Sequence, residues 1–202
     1  MFSIDENSGA TVNCFSLIPD FLKAFGCYLV IGFMLAGCAT VPDDYPRNSS
    51  VARADYTATS LGLLFEEAAA QHPDLSGFSV IRQGRSAFTD RVAIADLAER
   101  SLDLQYYIWE EDETGRILAE RLVRAADRGV RVRVLLDDIS LSGRDSKIAA
   151  LDAHPNIEIR IFNPFANRGA RLIDFVIDLG RINHRMHNKI MVADNAVAIV
   201  GG

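Results

Sequence analysis

Four apolar stretches of the chain have the length and residue content of β-strands. The clearest of them alternates apolar and charged residues and then becomes continuously apolar, as a strand that enters a protein interior does. The others are short runs rich in aliphatic or aromatic residues. The predicted strands are Gly77–Gly84 (GFSVIRQG), Leu102–Trp109 (LDLQYYIW), Val130–Asp138 (VRVRVLLDD) and Ile157–Phe162 (IEIRIF).

Segments with helical periodicity separate these strands. In TGRILAERLVRAADRG, Leu118, Leu122 and Ala125 share one helix face, and Gly129 follows where a C-terminal cap belongs. A strand, a helix and a second strand form a βαβ unit, in which the two strands are parallel. The alternation predicts an α/β fold: a mixed, largely parallel sheet flanked by helices. Two further helices are predicted at residues 87–101 (AFTDRVAIADLAERS) and 146–154 (SKIAALDAH).

The last twenty residues predict a β-hairpin that carries polar side chains. The strands KIMVAD and AVAIVGG meet at Asp194-Asn195, a pair that favours turns. Positions two apart on a strand share a face, so His187 and Lys189 are predicted to project side by side. An imidazole beside an ammonium group suits phosphodiester chemistry. The imidazole can attack phosphorus, and the cation can stabilise charge on the phosphoryl oxygens.

The first 38 residues have the pattern of an export signal or a membrane anchor. Residues 24–36 form an uncharged apolar run, which has the length of a signal-peptide core and is short for a bilayer-spanning helix. The sequence LAGC that follows resembles the lipobox of bacterial lipoproteins, which implies cleavage before Cys38 and lipidation of its thiol. Residues 39–60, rich in Pro, Asp, Asn and Ser, are predicted to be a linker to a domain at 61–202.

Composition narrows the class of the domain. All three cysteines lie in the first 38 residues, so the rest of the chain has neither a disulfide framework nor a cysteine-based zinc site. The formal net charge of −6 argues against a dedicated nucleic-acid partner. From Arg160 onward, however, six Lys/Arg face three Asp/Glu. That local excess suits an anionic group such as phosphate, although a solvated surface with scattered arginines fits it equally well.

The spacing H-x-K-x4-D-x6-G-G resembles the HKD motif of the phospholipase D superfamily. It is formed here by His187, Lys189, Asp194, Gly201 and Gly202. The upstream block AERSLDLQYYIWEEDETGRILAERLVRAADRGVRVRVLLDD is also similar to the first half of bacterial phospholipase D and cardiolipin synthase-like proteins. The resemblance covers roughly residues 61–202.

The resemblance implies roles for the motif residues. His187 would be the nucleophile or the general acid, and Lys189 would hold the phosphate. Asp194 lies seven positions from His187, so it is expected to shape the turn and support the local network instead of touching phosphate. No cofactor and no metal is implied. The resemblance favours a phospholipid substrate at a membrane, with hydrolysis of the head-group diester or phosphatidyl transfer to an alcohol as the reaction.

Several other residues that could carry chemistry are interpreted as structural. His184 and His187 lie three apart, on opposite faces of a strand, which disfavours a metal pair. Asp137 and Asp138 end a strand, where α/β proteins often place functional groups, but capping or a turn is favoured. Residues 110–113 are interpreted as a solvated loop and helix start. The aromatic residues Tyr106, Tyr107 and Trp109 are interpreted as core and sheet residues.

The family's active site takes two HKD motifs, and this chain has one. We therefore expect it to be the first half of a longer enzyme, truncated after the first motif and inactive alone, unless a homodimer supplies the second motif. The alternatives are an envelope phosphodiesterase or nuclease of the same superfamily, and a non-catalytic membrane-tethered remnant. The lipobox-like segment predicts a bacterial envelope lipoprotein. Ala39 after the cysteine favours the outer membrane, facing the periplasm, over the inner membrane.

Overall fold

The computed structural model describes residues 49–201, together with residues 21, 25, 26 and 28. Within residues 49–201 the chain forms six α-helices and five β-strands, with 3-10 turns at Tyr56–Ala58 and Asp138–Ser140. Cys38, Gly202, most of the apolar run at 24–36 and residues 39–48 of the predicted linker lie outside the described residues. In chain order the elements are α1 (Ser60–Gln71), α2 (Gly84–Leu97), β1 (Ser101–Tyr106), α3 (Glu113–Asp127), β2 (Arg131–Asp137), α4 (Asp145–Asp152), β3 (Ile157–Phe162), α5 (Arg171–Ile177), α6 (Leu179–Ile182), β4 (Lys189–Ala193) and β5 (Val197–Val200).

The five strands form one mixed sheet in the order β3-β2-β1-β4-β5. Strand β1 pairs parallel with β2, and β2 pairs parallel with β3. The hairpin of β4 and β5 adds to the other side of β1 in antiparallel orientation. The α/β class with a mixed sheet and flanking helices is confirmed, and so is the parallel βαβ unit. Because β4 runs antiparallel to β1, its first residue lies beside the last residue of β1, and Lys189 is paired with Tyr106.

The core lies between one face of the sheet and helices α2 and α3. Leu102 and Leu104 of β1 are almost fully buried, and so are Met191 and Ala193, their partners on β4. Helix α3 contributes the predicted apolar face, and Gly129 after it has φ +93°, the left-handed conformation that a C-terminal cap needs. The residues of α2 and α3 in this core are Ile94, Ala95, Leu118, Leu122, Ala125 and Ala126.

The strand predicted at Gly77–Gly84 is wrong. Residues 75–83 have no regular structure, and helix α2 begins at Gly84. A strand needs a neighbour for its backbone hydrogen bonds and a core for its apolar face. Phe78 and Val80 are 94% and 80% exposed, so this run has no core to cover. An apolar run too short to show periodicity gave a false strand.

The loop between β1 and α3 is packed closely enough for a glycine to be required. Asp112 caps α3 by accepting a hydrogen bond from Gly115 N (2.8 Å), and this bond and the Thr114 hydroxyl lower the pKa of the Asp112 carboxyl. A Cβ at Gly115 would overlap the Glu110 carbonyl oxygen. We expect Gly115→Ala to lower the free energy of unfolding by about 1–3 kcal/mol, measured by urea denaturation.

A second glycine at a helix start is the matched control for Gly115→Ala. A Cβ at Gly84, the first residue of α2, has no neighbour within 4 Å. Gly84→Ala should therefore be neutral or slightly stabilising, because alanine is the better helix former. Equal effects of the two substitutions would contradict the packing argument.

Candidate active site

The side chains of His187 and Lys189 meet at the edge of the sheet where β1 ends and β4 begins. Lys189 is the first residue of β4, and His187 lies two positions before it. The ammonium nitrogen of Lys189 is 3.1 Å from Nδ1 and 3.3 Å from Nε2 of the His187 ring. His187 is exposed to solvent, whereas Lys189 is half-buried. The site thus presents an accessible imidazole with a cation held against it.

Tyr107 forms the floor of this site. Its ring centroid is 4.6 Å from that of His187, and the Lys189 ammonium lies 5.6 Å from the Tyr107 ring centroid. The backbone of Tyr107 is tied to the same segment, since Tyr107 N donates to Asn188 O (2.9 Å). A ring beneath an imidazole and an ammonium limits their positions and contributes a cation–π attraction.

Two of the three aromatic residues that were interpreted as core and sheet residues pack against the core. Tyr106 and Trp109 pack against the core and contact each other edge to face, with centroids 5.4 Å apart. Tyr107 instead belongs to the candidate site. Within β1, Leu102, Leu104 and Tyr106 alternate onto the buried face. That alternation would place both Tyr107 and Trp109 outside the core, so the packing of Trp109 depends on the loop that follows β1.

Asp194 lies apart from the imidazole and the ammonium, at the other end of β4. It is fully buried, and its carboxylate accepts hydrogen bonds from the backbone amides of Glu99 (2.9 Å), Arg100 (2.7 Å) and Ser101 (2.9 Å). Asp194 and Asn195 have φ +52° and +54°, and Ala196 N donates to Ala193 O. Positive φ at both central positions is the mark of a tight type I′ hairpin turn. The carboxylate therefore joins this turn to the start of β1.

Gly201 closes the site on the side of β5. Its amide donates to Lys189 O (2.9 Å), and its φ of +106° is one that glycine adopts easily. Its carbonyl accepts from Arg91 of α2 (2.6 Å), and Arg91 also donates to the Tyr106 hydroxyl (2.9 Å). The glycine thus holds the backbone of Lys189 in place.

Two buried aspartates at the end of β2 bind residues of the segment between β3 and β4. Asp137 and Asp138 are both fully buried. Asp137 caps the 3-10 turn as predicted, through Ile139 N, and also pairs with Arg185. Asp138 pairs with Arg168 and with Arg171. The capping prediction missed these ion pairs, because their partners are 30 to 48 positions away.

The negative charges of the two buried aspartates are compensated by their arginine partners. Burial acts to lower the pKa of Arg168, but its hydrogen bonds to Asp145 and Asp138 outweigh burial, and the pKa of Arg168 is raised. The guanidinium groups of Arg171 and Arg185 also lie over the ring of Phe165, at 4.6 and 5.2 Å from its centroid. Such a buried network holds its members in one geometry.

The family model for "Cardiolipin synthase, PLD-like domain" matches residues 92–202, more than half of the chain. This chain belongs to the phospholipase D superfamily. The matched region contains β1 to β5 and all five residues of the HKD motif. The family assignment made from the sequence is therefore confirmed, and the family is one of enzymes.

Two curated relatives agree with this assignment. Cardiolipin synthase C of Escherichia coli (strain K12) is 47% identical over 132 residues, which is 65% of this chain and 28% of the relative. The major cardiolipin synthase ClsA of Bacillus subtilis (strain 168) is 31% identical over 123 residues, 61% of this chain and 24% of the relative. This chain thus spans about a quarter to a third of the length of the curated relatives it matches. The solved structure of NucT from Helicobacter pylori aligns with 58% of this chain and 65% of its own, with 20% identity and a TM-score of 0.42.

Proposed function

We propose that this chain carries one half of a phosphodiester-transfer site that acts on phospholipids through a phosphohistidine intermediate. The observation that carries the proposal is the pairing of an exposed imidazole, His187, with the ammonium of Lys189 at 3.1 Å. The cardiolipin synthase names of the relatives favour a phospholipid, and the net charge of −6 disfavours a nucleic acid.

The proposed reaction has two steps. A ring nitrogen of His187 attacks phosphorus, the N–P bond forms, and the P–O bond to the leaving alcohol breaks. The leaving oxygen takes a proton from a second histidine. Water or an alcohol then attacks the phosphohistidine, gives its proton to that second histidine, and releases His187. Lys189 would donate to the phosphoryl oxygens, where negative charge builds up in both transition states.

The second histidine would come from another HKD motif. Either a further segment of a longer protein or a second copy of this chain would supply it. The 202-residue chain is expected to show no activity as a monomer, because His187 alone leaves the departing oxygen without a proton donor. Measuring the solution mass and the activity of the chain together tests this. A monodisperse dimer whose turnover depends on His187 would make the short chain a complete enzyme, and an active monomer would contradict the second-histidine requirement.

Assays of the active form of the protein against phospholipid vesicles test the reaction. We expect release of the head group, or transfer of the phosphatidyl group to an added alcohol, and a phosphorylated histidine in acid-labile form.

In the same assay, Lys189→Ala should lower kcat by about 10²–10³-fold, and Lys189→Arg should retain more activity because it keeps the charge. Cleavage of single-stranded DNA with no action on lipids would instead favour the nuclease alternative.

The N-terminal segment has a proposed function of its own as a lipoprotein signal. Within residues 49–201 no helix is long and apolar enough to cross a bilayer. We expect cleavage before Cys38, lipidation of its thiol, and attachment to the outer membrane facing the periplasm. Mass spectrometry of the mature N-terminus measures this directly. An unmodified Cys38, or an intact residue 24–36 segment, would mean an uncleaved anchor.

A further inference from the structure

Asp137 is bonded to the two residues that directly precede His187. It is the last residue of β2 and is fully buried. One carboxylate oxygen accepts from Met186 N (2.9 Å), and the other accepts from Arg185 (3.0 Å) and from Ile139 N (2.9 Å). A single side chain thus ties the end of a central strand to the backbone at the candidate nucleophile.

The position of His187 depends on its backbone. Its side chain is exposed, and Lys189 is the residue that hydrogen-bonds to its ring among the described contacts. The chain is fixed on both sides: Met186 N is held by Asp137, and Asn188 O is held by Tyr107 N. The orientation of an exposed nucleophile therefore depends on how firmly these two hydrogen bonds hold the backbone on either side of it.

Arg185 makes the anchor on the Asp137 side stiff. Its Nε donates to Ile182 O (2.6 Å) while its other end pairs with Asp137, and 11% of its side chain is exposed. Its guanidinium group also lies over the Phe165 ring. Buried hydrogen bonds to charged groups are stronger than neutral ones, so this anchor is held more firmly than an ordinary loop.

We propose that Asp137 is a positioning residue for His187, acting through Met186 N and Arg185. The proposal rests on the function proposed for His187. Replacing the carboxylate by an amide keeps the shape but leaves one oxygen for three donors, so one or more of Met186, Arg185 and Ile139 loses its partner. The backbone before His187 is then free to shift, and a misplacement of about 1 Å can cost about 100-fold in rate.

Asp138 provides the matched control. It is the next residue and is equally buried. It holds two arginines and one backbone amide, Phe165 N (2.7 Å), where Asp137 holds one arginine and two backbone amides. None of the hydrogen-bond partners of Asp138 adjoins His187. Loss of a buried carboxylate is therefore common to both variants, whereas loss of the His187 anchor occurs only with Asp137→Asn.

The experiment compares Asp137→Asn, Asp138→Asn and His187→Asn in the catalytically active form of the protein. We expect similar losses of melting temperature for both aspartate variants. Asp137→Asn should lower kcat by about 10–100-fold with KM within about threefold, while Asp138→Asn keeps kcat within about threefold. Hydrogen exchange at the Met186 amide should accelerate in Asp137→Asn only. Arg185→Lys, which keeps the charge but loses the fork of donors, should lower kcat in the same way if Asp137→Asn does not fold.

The outcomes separate two kinds of failure. If His187→Asn retains turnover, the function proposed for His187 is wrong, whatever Asp137→Asn does. If His187→Asn is inactive and the two aspartate variants have equal kcat, or Met186 exchange is unchanged, the positioning role of Asp137 is overturned while the proposed function stands.

Discussion

His187→Asn should reduce turnover by more than about a thousandfold without lowering the melting temperature. Asparagine has no nucleophilic nitrogen and cannot carry a proton between steps. The structure gives the reason for unchanged stability: His187 is exposed, and its ring contacts the Tyr107 ring and the Lys189 ammonium at the surface. Steady-state kinetics on phospholipid vesicles and a thermal melt of the same preparation measure both quantities.

His184 provides the control for this prediction. It lies three positions earlier, is also exposed, and its ring is 6.0 Å from that of Phe162, away from the candidate nucleophile. His184→Asn should keep turnover within about threefold, as surface substitutions usually do. Near-normal turnover of His187→Asn would contradict the role proposed for His187 as the nucleophile. Loss of turnover in both variants would point to a disturbed 183–188 segment instead of a lost nucleophile.

The parts of the fold that could be predicted from the sequence are those that depend on neighbours in the chain. The βαβ unit is an example, because the alternation before Asp137, the apolar face of α3 and Gly129 are each local patterns. The hairpin at Asp194-Asn195 is another, since the turn residues and the flanking strands are contiguous. The order of strands in the sheet is of a different kind. Nothing in the β4 pattern indicates that β4 pairs with β1, because Ala193 of β4 and its partner Leu102 of β1 are 91 positions apart in the chain.

In the candidate site, too, some features depend on neighbours in the chain and others depend on the folded sheet. His187 and Lys189 are two positions apart, so a strand pattern was enough to predict that their side chains meet. Tyr107 and Asp137 reach the same place from β1 and β2, and only the folded sheet brings them there. Their local patterns suggested a core aromatic and a cap. Asp137 does form a cap, but its bonds to Arg185 and Met186 cross 48 and 49 positions and have no local signature.

Asp194→Ala should lower the free energy of unfolding by about 3–5 kcal/mol, the largest stability loss that we expect at the HKD motif. The substitution removes the acceptor of three backbone amides, those of Glu99, Arg100 and Ser101. An unpaired amide at a buried position costs about 1–3 kcal/mol, and a small domain has only about 5–15 kcal/mol of stability in total. Urea denaturation of the protein measures the change.

Two variants separate the contribution of the amide hydrogen bonds to this stability loss from that of the left-handed backbone. Asn195→Ala places alanine at the other positive-φ position of the same turn, where the side chain is exposed and donates to Arg53 O. It should cost about 1–2 kcal/mol, the usual cost of left-handed backbone for a residue other than glycine. Asparagine at position 194 tolerates positive φ and keeps one amide oxygen, so the stability loss of Asp194→Asn should fall between those of Asp194→Ala and Asn195→Ala.

A stability loss in Asp194→Ala no larger than in Asn195→Ala would show that the three amide bonds contribute little. If Asp194→Asn were instead inactive at full stability, the aspartate of the motif would act in the chemistry. The geometry favours a structural role for Asp194, because its carboxylate binds the start of β1, at the opposite end of β4 from Lys189.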